Sequence, residues 1–460
     1  MENTQIIQTK AKPIFKEEKE WIEKHLPEIS PLPDDCWIVG GGIKSVYLDL
    51  YCKQYFVKFR VENNGNWILL KDNRDKFKDY QQTTIAETLD REKERLENDW
   101  NKAIERTALF VSEFSNIFYS ISISGGKDSE VLYHLWYDVL NRLKEQNVTP
   151  EYQFIFFNTT NECADVYKYI KARPEIKIIN PDISWWQWIE TVQKYALPTV
   201  FKRSCCSKYK EGQVKKIYDN NIPIVQVIGI RNQESIKRAE CEFYMDYQWD
   251  VDHRGKSNQS KKWIKLCPLI DYSTTDIWLI ILLKDFYVNP KYKYGWGRCG
   301  CNICPFGNSY EDYLIREYYP KTWERFCKIA EKGYNYYNIL QIEGFSLQSY
   351  INGVWKRPEN KEMIYIRRQP TSKNIHALAE YKGISDEMAA KYWERTCSRC
   401  GKNITPIANS MFFKLFGRLE GQDDNRGRLC QKCICEEFGW TAEEYFEKAM
   451  EFKNEGCDLF

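Results

Sequence analysis

The chain has 460 residues, 43% hydrophobic and 29% charged, with 67 Lys+Arg against 65 Asp+Glu. This composition excludes a disordered chain, a collagen-like repeat and a globally polycationic binder, so any attraction to nucleic acid is local. At about 150 residues per domain the length predicts roughly three domains.

The N-terminus, MENTQIIQTKAKPIFKEEKEWIEKH, lacks an apolar core of signal-peptide length. The longest apolar run, Ile277 to Leu283, is far short of the ~20 residues that span a bilayer. A cytoplasmic protein with no membrane partner is expected. Residues 1–83 read as a small α+β module, because PLPDDCWIVGGGIKSVYLDLYCKQYFVKFR alternates apolar and polar positions as paired strands do. Gly40, Gly41 and Gly42 are expected as turn glycines, since no helical pattern follows them.

A helix is predicted from Thr84 to about Ser115, with Ile85, Leu89, Leu96, Trp100 and Ile104 on one face. An α/β pattern follows. Strand-like segments at 117–124, 152–158, 175–180 and 222–230 alternate with helical segments, which implies right-handed crossovers and a mainly parallel sheet. Ligands then sit outside the carboxyl ends of the strands. The expected division is 1–83, an α/β core at 84–307, a helical region at 308–395, and a Cys-bracketed module at 396–460.

Seventeen cysteines in a chain without an export signal read as reduced thiols rather than disulfides, because the cytosol keeps thiols reduced. They cluster at Cys205–Cys206, Cys299–Cys304, Cys397–Cys400 and Cys430–Cys435, a distribution that points to metal. Cys36, Cys52, Cys163, Cys241 and Cys327 are scattered and read as small buried hydrophobes.

The segment Ser124, Gly125, Gly126, Lys127, Asp128 and Ser129 joins a strand to a helix. Its glycines let backbone amides approach a phosphate, and the helix start adds partial positive charge. Lys127 supplies a point charge; Asp128 holds Mg²⁺ or orients the loop. The loop is expected at the surface, at a strand end. Its spacing is not that of a Walker A motif. Downstream, Arg231 and Arg238 in GIRNQESIKRAE suit bidentate phosphate or sulfate binding, with Glu234 and Ser235 fixing the turn. Thr159, Thr160 and Glu162 are candidate nucleotide contacts. His134 is expected to pack rather than react.

SGGKDS resembles the pyrophosphate loop (PP-loop) of the ATP pyrophosphatase superfamily. NTTNECADVYKYI, SWWQWIETVQKYALPTVFKRSCCSKYK, GIRNQESIKRAE, CPLIDYSTTDIWLII and GRCGCNICPFG resemble, in order, motifs of its phosphoadenosine phosphosulfate (PAPS) reductase family. The resemblance covers about residues 85–330. It implies a PP-loop, adenine nucleotide alpha hydrolase-like core binding ATP or PAPS with Mg²⁺. Lys127, Asp128, Arg231, Glu234 and Arg238 are the residues carried over as catalytic.

Cys205 and Cys206 with Cys301-x-x-Cys304 offer four thiolates, suited to tetrahedral zinc or to an iron–sulfur cluster. Adjacent cysteines are awkward ligands for one small ion, whereas a cubane accepts them. In cluster-bearing family members the matching positions hold a [4Fe–4S] cluster. Cys267 and Cys299 are further candidates, as ligands replacing Cys205 or as nucleophiles. Lys202, Arg203, Lys208 and Lys210 flank the pair, and a second basic run contains His253, Arg254, Lys256, Lys261, Lys262 and Lys265.

Cys397-x-x-Cys400 and Cys430-x-x-Cys433, separated by residues 401–429, form the pattern of a zinc-ribbon-like module, with Cys435 a bystander. Arg395, Arg399, Lys402, Lys414, Arg418, Arg426 and Arg428 permit nucleic-acid binding.

The resemblance implies adenylation-coupled sulfur transfer, with DNA or tRNA as acceptor and a cysteine desulfurase or other sulfur donor as partner. One alternative is a thioredoxin-dependent sulfonucleotide reductase. That group carries a Glu-Cys-Gly-x-His element, whereas this sequence ends NEGCDLF, with Cys457 and no neighbouring His. Another alternative is a non-catalytic nucleotide-sensing subunit of a larger assembly.

Overall fold

A computed structural model describes residues 11–454, apart from 41–45, 53–54, 63, 78–83, 215–216, 218–223, 235–237, 239–240, 249–261, 341–343, 359–375, 377–378, 380–384, 388–396, 403 and 417–427. Two compact units are present: Met1–Trp186 with Arg203–Phe326, and Gln187–Lys202 with Cys327–Phe460.

The first unit opens with β1 (Ala11–Pro13) and α1 (Lys16–His25), then β2 (Trp37–Gly40), β3 (Val46–Cys52), β4 (Tyr55–Val61) and β5 (Trp67–Asp72). The five strands form one antiparallel sheet in sequential order. Gly40 ends β2, and Gly41 and Gly42 lie outside the described residues.

α2 (Ile85–Glu113) starts at a capping box in which Thr84 and Glu87 satisfy each other's backbone amides. It buries Leu96 and Trp100 on the predicted face. β6 (Phe118–Ser122), α3 (Lys127–Glu145), β7 (Tyr152–Phe157), α4 (Ala164–Lys171), β8 (Ile176–Ile179) and β9 (Ile224–Val227) follow in the expected alternation. β6 and β9 carry fully buried Tyr119, Ile121, Val225 and Val227. Such continuous apolar runs suit strands covered on both faces.

The sheet order is β10-β11-β9-β6-β7-β8. All neighbours are parallel except β10 (Tyr244–Gln248) and β11 (Lys262–Leu266), which pair antiparallel. The sequence reading took the segment containing β11 only as a basic run. Of that run, Lys262 and Lys265 lie in β11, whereas His253, Arg254, Lys256 and Lys261 lie outside the described residues. From β6 the chain winds outward through β7 and β8, then returns to place β9 on the other side of β6. The switch point therefore lies between β6 and β9, where an open parallel sheet leaves a crevice at its carboxyl edge. α5 (Thr274–Leu283) and α6 (Ser309–Tyr318) complete the principal helices of this unit.

After Asn308 come α7 (Pro320–Tyr336) and α8 (Leu347–Ile351). The second unit also holds α9 (Pro406–Phe416), α10 (Gln431–Phe438) and α11 (Ala442–Asn454), packed around Met411, Phe412, Ile434 and Tyr445. No helix among the described residues is long and apolar enough to cross a membrane.

Candidate active site

At the carboxyl end of β6 the chain turns through Gly125, whose φ of +72° lies in the left-handed region that glycine enters freely. Ser129 gathers the turn: its Oγ accepts from the amides of Ser124 (3.1 Å) and Gly126 (3.2 Å) and donates to the Gly126 carbonyl (2.8 Å). A Cβ on Gly126 would stand 3.1 Å from Cys299 Cβ and 3.2 Å from Tyr292 Oη, so the loop is closely covered. Lys127 is 7% exposed. Gly125, Gly126, Lys127 and Ser129 are thus buried, not superficial as their strand-end position suggested, because the segment carrying Tyr292 and Cys299 lies over them, whereas Ser124 stays exposed.

Across the switch point, Arg231 Nε donates to Asp128 Oδ1 at 2.6 Å, and Lys127 Nζ donates to Asp128 Oδ2 at 2.7 Å. Burial pushes the Asp128 carboxyl up, but the two cations outweigh it and hold the group below its ordinary value. Both Asp128 oxygens thus accept hydrogen bonds, one from each cation. Arg231 also donates to Thr274 Oγ1 (3.0 Å), and Glu234 pairs with both Arg231 and Arg238. Gly229 permits the approach, since a Cβ there would lie 3.1 Å from the Asp128 carbonyl oxygen. Ser235 lies outside the described residues.

Beyond β7, Thr160 adopts a φ of +59°. Its hydroxyl accepts from the Trp185 amide at 2.6 Å and donates to the Thr159 carbonyl. Thr159 bonds Glu162 and sits 3.6 Å from Cys301 Sγ. Asn161 clamps the cysteine loop: its Nδ2 donates to the Ile303 carbonyl (2.9 Å), its Oδ1 accepts from the Ile303 amide, and its carbonyl accepts from the Asn302 amide. Thr159 and Asn161 therefore tie the segment after β7 to the cysteine loop.

Cys205 and Cys206 occupy a helical turn at Ser204–Cys206. The thiols of Cys206, Cys301 and Cys304 all act on Cys205, and the hydrogen bond with Cys206, burial and these thiols together push Cys205 far up. Cys205 thus lies within electrostatic reach of the other three predicted thiols. The Lys210 ammonium, on an exposed side chain, lies near the thiols of Cys301, Cys206 and Cys304, which raise its pKa. Arg298 bonds Cys304 and Glu311. Cys299 lies instead by the phosphate loop, where burial pushes its thiol up to about 12. Cys267 is buried near Cys241 and Arg238, and burial pushes it likewise to about 12.

Residues 118–306 match the phosphoadenosine phosphosulfate reductase domain. This segment belongs to that domain family. An uncharacterized protein of Methanocaldococcus jannaschii is 26% identical over 301 residues, covering 64% of this chain and 65% of the relative. The adenosine 5′-phosphosulfate reductase of Staphylococcus saprophyticus is 25% identical over 167 residues, covering 34% of this chain and 62% of that enzyme. The chain thus spans less than two thirds of the length of these relatives. The crystal structure of the PAPS reductase of Candida auris aligns with a TM-score of 0.30 at 15% identity, covering 43% of this chain and 87% of that one.

Several residues that shape the PAPS reductase domain's crevice escaped the sequence reading. Asn289 caps a short turn, Pro290–Lys293, and its Nδ2 donates to the Gly125 carbonyl at 3.1 Å. Lys291 Nζ donates to the Gly300 carbonyl and to Asn302 Oδ1. An Asn-Pro pair is a recognisable helix-start signal, but nothing local shows that it faces the phosphate loop. His134 packs as expected, stacked on Phe286 with centroids 3.9 Å apart.

Outside the PAPS reductase domain, Cys397, Cys400, Cys430 and Cys433 have sulfur atoms all within 4.8 Å of one another. Although burial opposes it, the amides of Cys430, Cys400 and Arg399 hold the Cys397 thiol down to about 7. Tetrahedral zinc, with Zn–S of about 2.3 Å, sets its sulfurs roughly 3.8 Å apart, and this compact set fits such an ion. Among the described residues it is the one group packed so closely. Cys435 points to the Thr441 carbonyl, away from the set. Of the basic residues expected near this module, Arg399 pairs with Glu437, and the buried Arg428 donates to Asn409 at 2.8 Å. Arg395, Arg418 and Arg426 lie outside the described residues.

Proposed function

We propose that the chain binds an adenine nucleotide, ATP in preference to PAPS, with its phosphates at the β6–β9 switch point, and transfers sulfur to an acceptor activated by adenylation. The contiguity of phosphate loop and cysteine loop carries this reading. Cys299 lies against Gly126, and Thr159 reaches Cys301 from the carboxyl end of β7. A nucleotide held by Lys127, Arg231 and Arg238 then presents its reacting phosphate toward sulfur ligands.

In this reading the acceptor oxygen attacks the α-phosphate and pyrophosphate leaves. The terminal sulfur of a persulfide donor such as a cysteine desulfurase then displaces AMP to give an acceptor–S–S–donor disulfide. A second thiol on the donor attacks that bond, releasing the thiolated acceptor and leaving the donor as a disulfide. Mg²⁺, if bound with the nucleotide, would supply charge neutralisation to the phosphates that Lys127 and Arg231 also face. Cys205, Cys206, Cys301 and Cys304 hold a [4Fe–4S] cluster, which supplies a redox-active, sulfur-rich centre when bound. Lys210 balances negative charge on those thiolates. The second cysteine set holds zinc as a structural ion. The acceptor is a nucleic acid, DNA or tRNA, and the chain works in the cytoplasm. The working division of the chain is 1–83, 84–307, 308–395 and 396–460.

The similarity to adenosine 5′-phosphosulfate reductases favours a second reading, reduction of a sulfonucleotide to sulfite with thioredoxin. The two separate in one assay series. Release of AMP and pyrophosphate from ATP, stimulated by DNA or tRNA, supports the first. Sulfite from PAPS or adenosine phosphosulfate with thioredoxin, and no pyrophosphate from ATP, establishes the second.

A further inference from the structure

We propose that Tyr292 is a positioning residue that ties the phosphate loop to the cysteine loop and anchors both to the N-terminal sheet module. The expected effect on nucleotide affinity rests on the reading above; the positioning itself does not.

Tyr292 is 2% exposed, and its ring stands edge-on to Trp278 with centroids 4.9 Å apart. Its Oη accepts from the Lys127 amide at 3.0 Å and from the Cys299 amide at 3.2 Å. A phenol oxygen has two acceptor positions, and one amide from each loop fills them. The Lys127 amide belongs to the first turn of α3, where phosphate-binding donors lie. The Cys299 amide opens the loop that carries Cys301 and Cys304. One oxygen thus fixes the spacing of the two loops.

The main chain of the same residue faces the N-terminal module. Lys12, in β1, donates from Nζ to the Tyr292 carbonyl at 3.2 Å and pairs with Glu18 of α1. Lys12 is 5% exposed and Glu18 fully buried. A buried ion pair is costly to break and well suited to fixing one arrangement. β1 is held in register by its own bonds, since the Ala11 amide donates to Thr275 Oγ1 at 3.1 Å and β1 pairs with β2. A continuous path, Glu18 to Lys12 to Tyr292 to the two loop amides, gives the N-terminal module a part in shaping the site.

The test uses the full chain and its Tyr292→Phe and Lys12→Met variants, with amide hydrogen exchange resolved by fragmentation and MgATP affinity by calorimetry. Tyr292→Phe keeps the ring against Trp278 and removes only the shared acceptor. Exchange at Lys127 and Cys299 is expected to rise about ten-fold and MgATP affinity to fall about ten-fold, the scale of one or two lost hydrogen bonds. Exchange in Ile224–Val227 should stay unchanged. Lys12→Met touches neither amide, yet should raise exchange at the same two. Unchanged exchange at both amides in Tyr292→Phe overturns the proposal, and so does a rise that extends equally through β9. If the native chain binds neither ATP nor PAPS while the amides respond as expected, the nucleotide reading fails and the positioning role stands.

Discussion

Arg231 Nε and Asp128 Oδ1 meet at 2.6 Å, joining the segment after β9 to the first turn of the helix after β6. These residues are 103 positions apart in the chain, and only the strand order makes them neighbours. With Lys127 on the other carboxylate oxygen, the pair gives the crevice its cationic floor.

Asp128→Ala leaves the 2%-exposed Arg231 guanidinium without its carboxylate, although Thr274 and Glu234 remain. Breaking a buried pair from one side is expected to cost about 3 kcal/mol. Urea unfolding at pH 7 checks this, and calorimetry with MgATP should show weakened binding. A variant as stable as the native chain would remove Asp128 from the account of the loop.

The same pair predicts a pH dependence. The folded-state value of Asp128 lies below the ordinary 3.8 because Lys127 and Arg231 outweigh burial. Its contribution is therefore complete above that ordinary value and is lost as pH falls through the lower folded one. The stability difference between native chain and Asp128→Asn should be flat from neutral pH to about pH 5 and shrink only below about pH 4. A difference already shrinking near pH 6 would point to another titrating group.

Gly229→Ala would place a Cβ 3.1 Å from the Asp128 carbonyl oxygen and 3.2 Å from its carbon. Backbone on both sides must shift, which is expected to cost about 1–2 kcal/mol. Because the displaced atoms belong to the phosphate loop, MgATP affinity should fall more than the thermal midpoint suggests. Full affinity in this variant would mean that the loop does not depend on its approach to β9.

How much of this site was legible beforehand follows from how local each signal is. SGGKDS, the four parallel strands and the Cys spacings are contiguous patterns with their own physical signatures, and each maps onto the expected element. The α2 face was legible for the same reason: Leu96 and Trp100 recur at helical spacing. The covering of the loop was not legible, because Asn289 and Tyr292 reach it from more than 160 positions away and nothing near them announces the contact. β10 and β11 escaped notice because β11 mixes Lys262 and Lys265 with its apolar residues, which in sequence reads as a basic run. Arg399 and Arg428 look free in sequence, whereas folding gives them Glu437 and Asn409 as partners.

The two cysteine sets should respond independently. Cys304→Ser is expected to remove iron while leaving zinc, and Cys400→Ser the reverse. In Cys400→Ser the second unit, whose small core surrounds Cys397, Cys430 and Cys433, should lose protease resistance first. Loss of both metals from either variant, measured by inductively coupled plasma emission, would mean that the ligand sets are wrongly divided.

Metal and acid-labile sulfide content of the anaerobically purified full chain, with its absorption spectrum, tests the sulfur-centre claim most directly. The account predicts about four iron, four sulfide and one zinc per chain. Two zinc and no iron, persisting after anaerobic reconstitution, would contradict it.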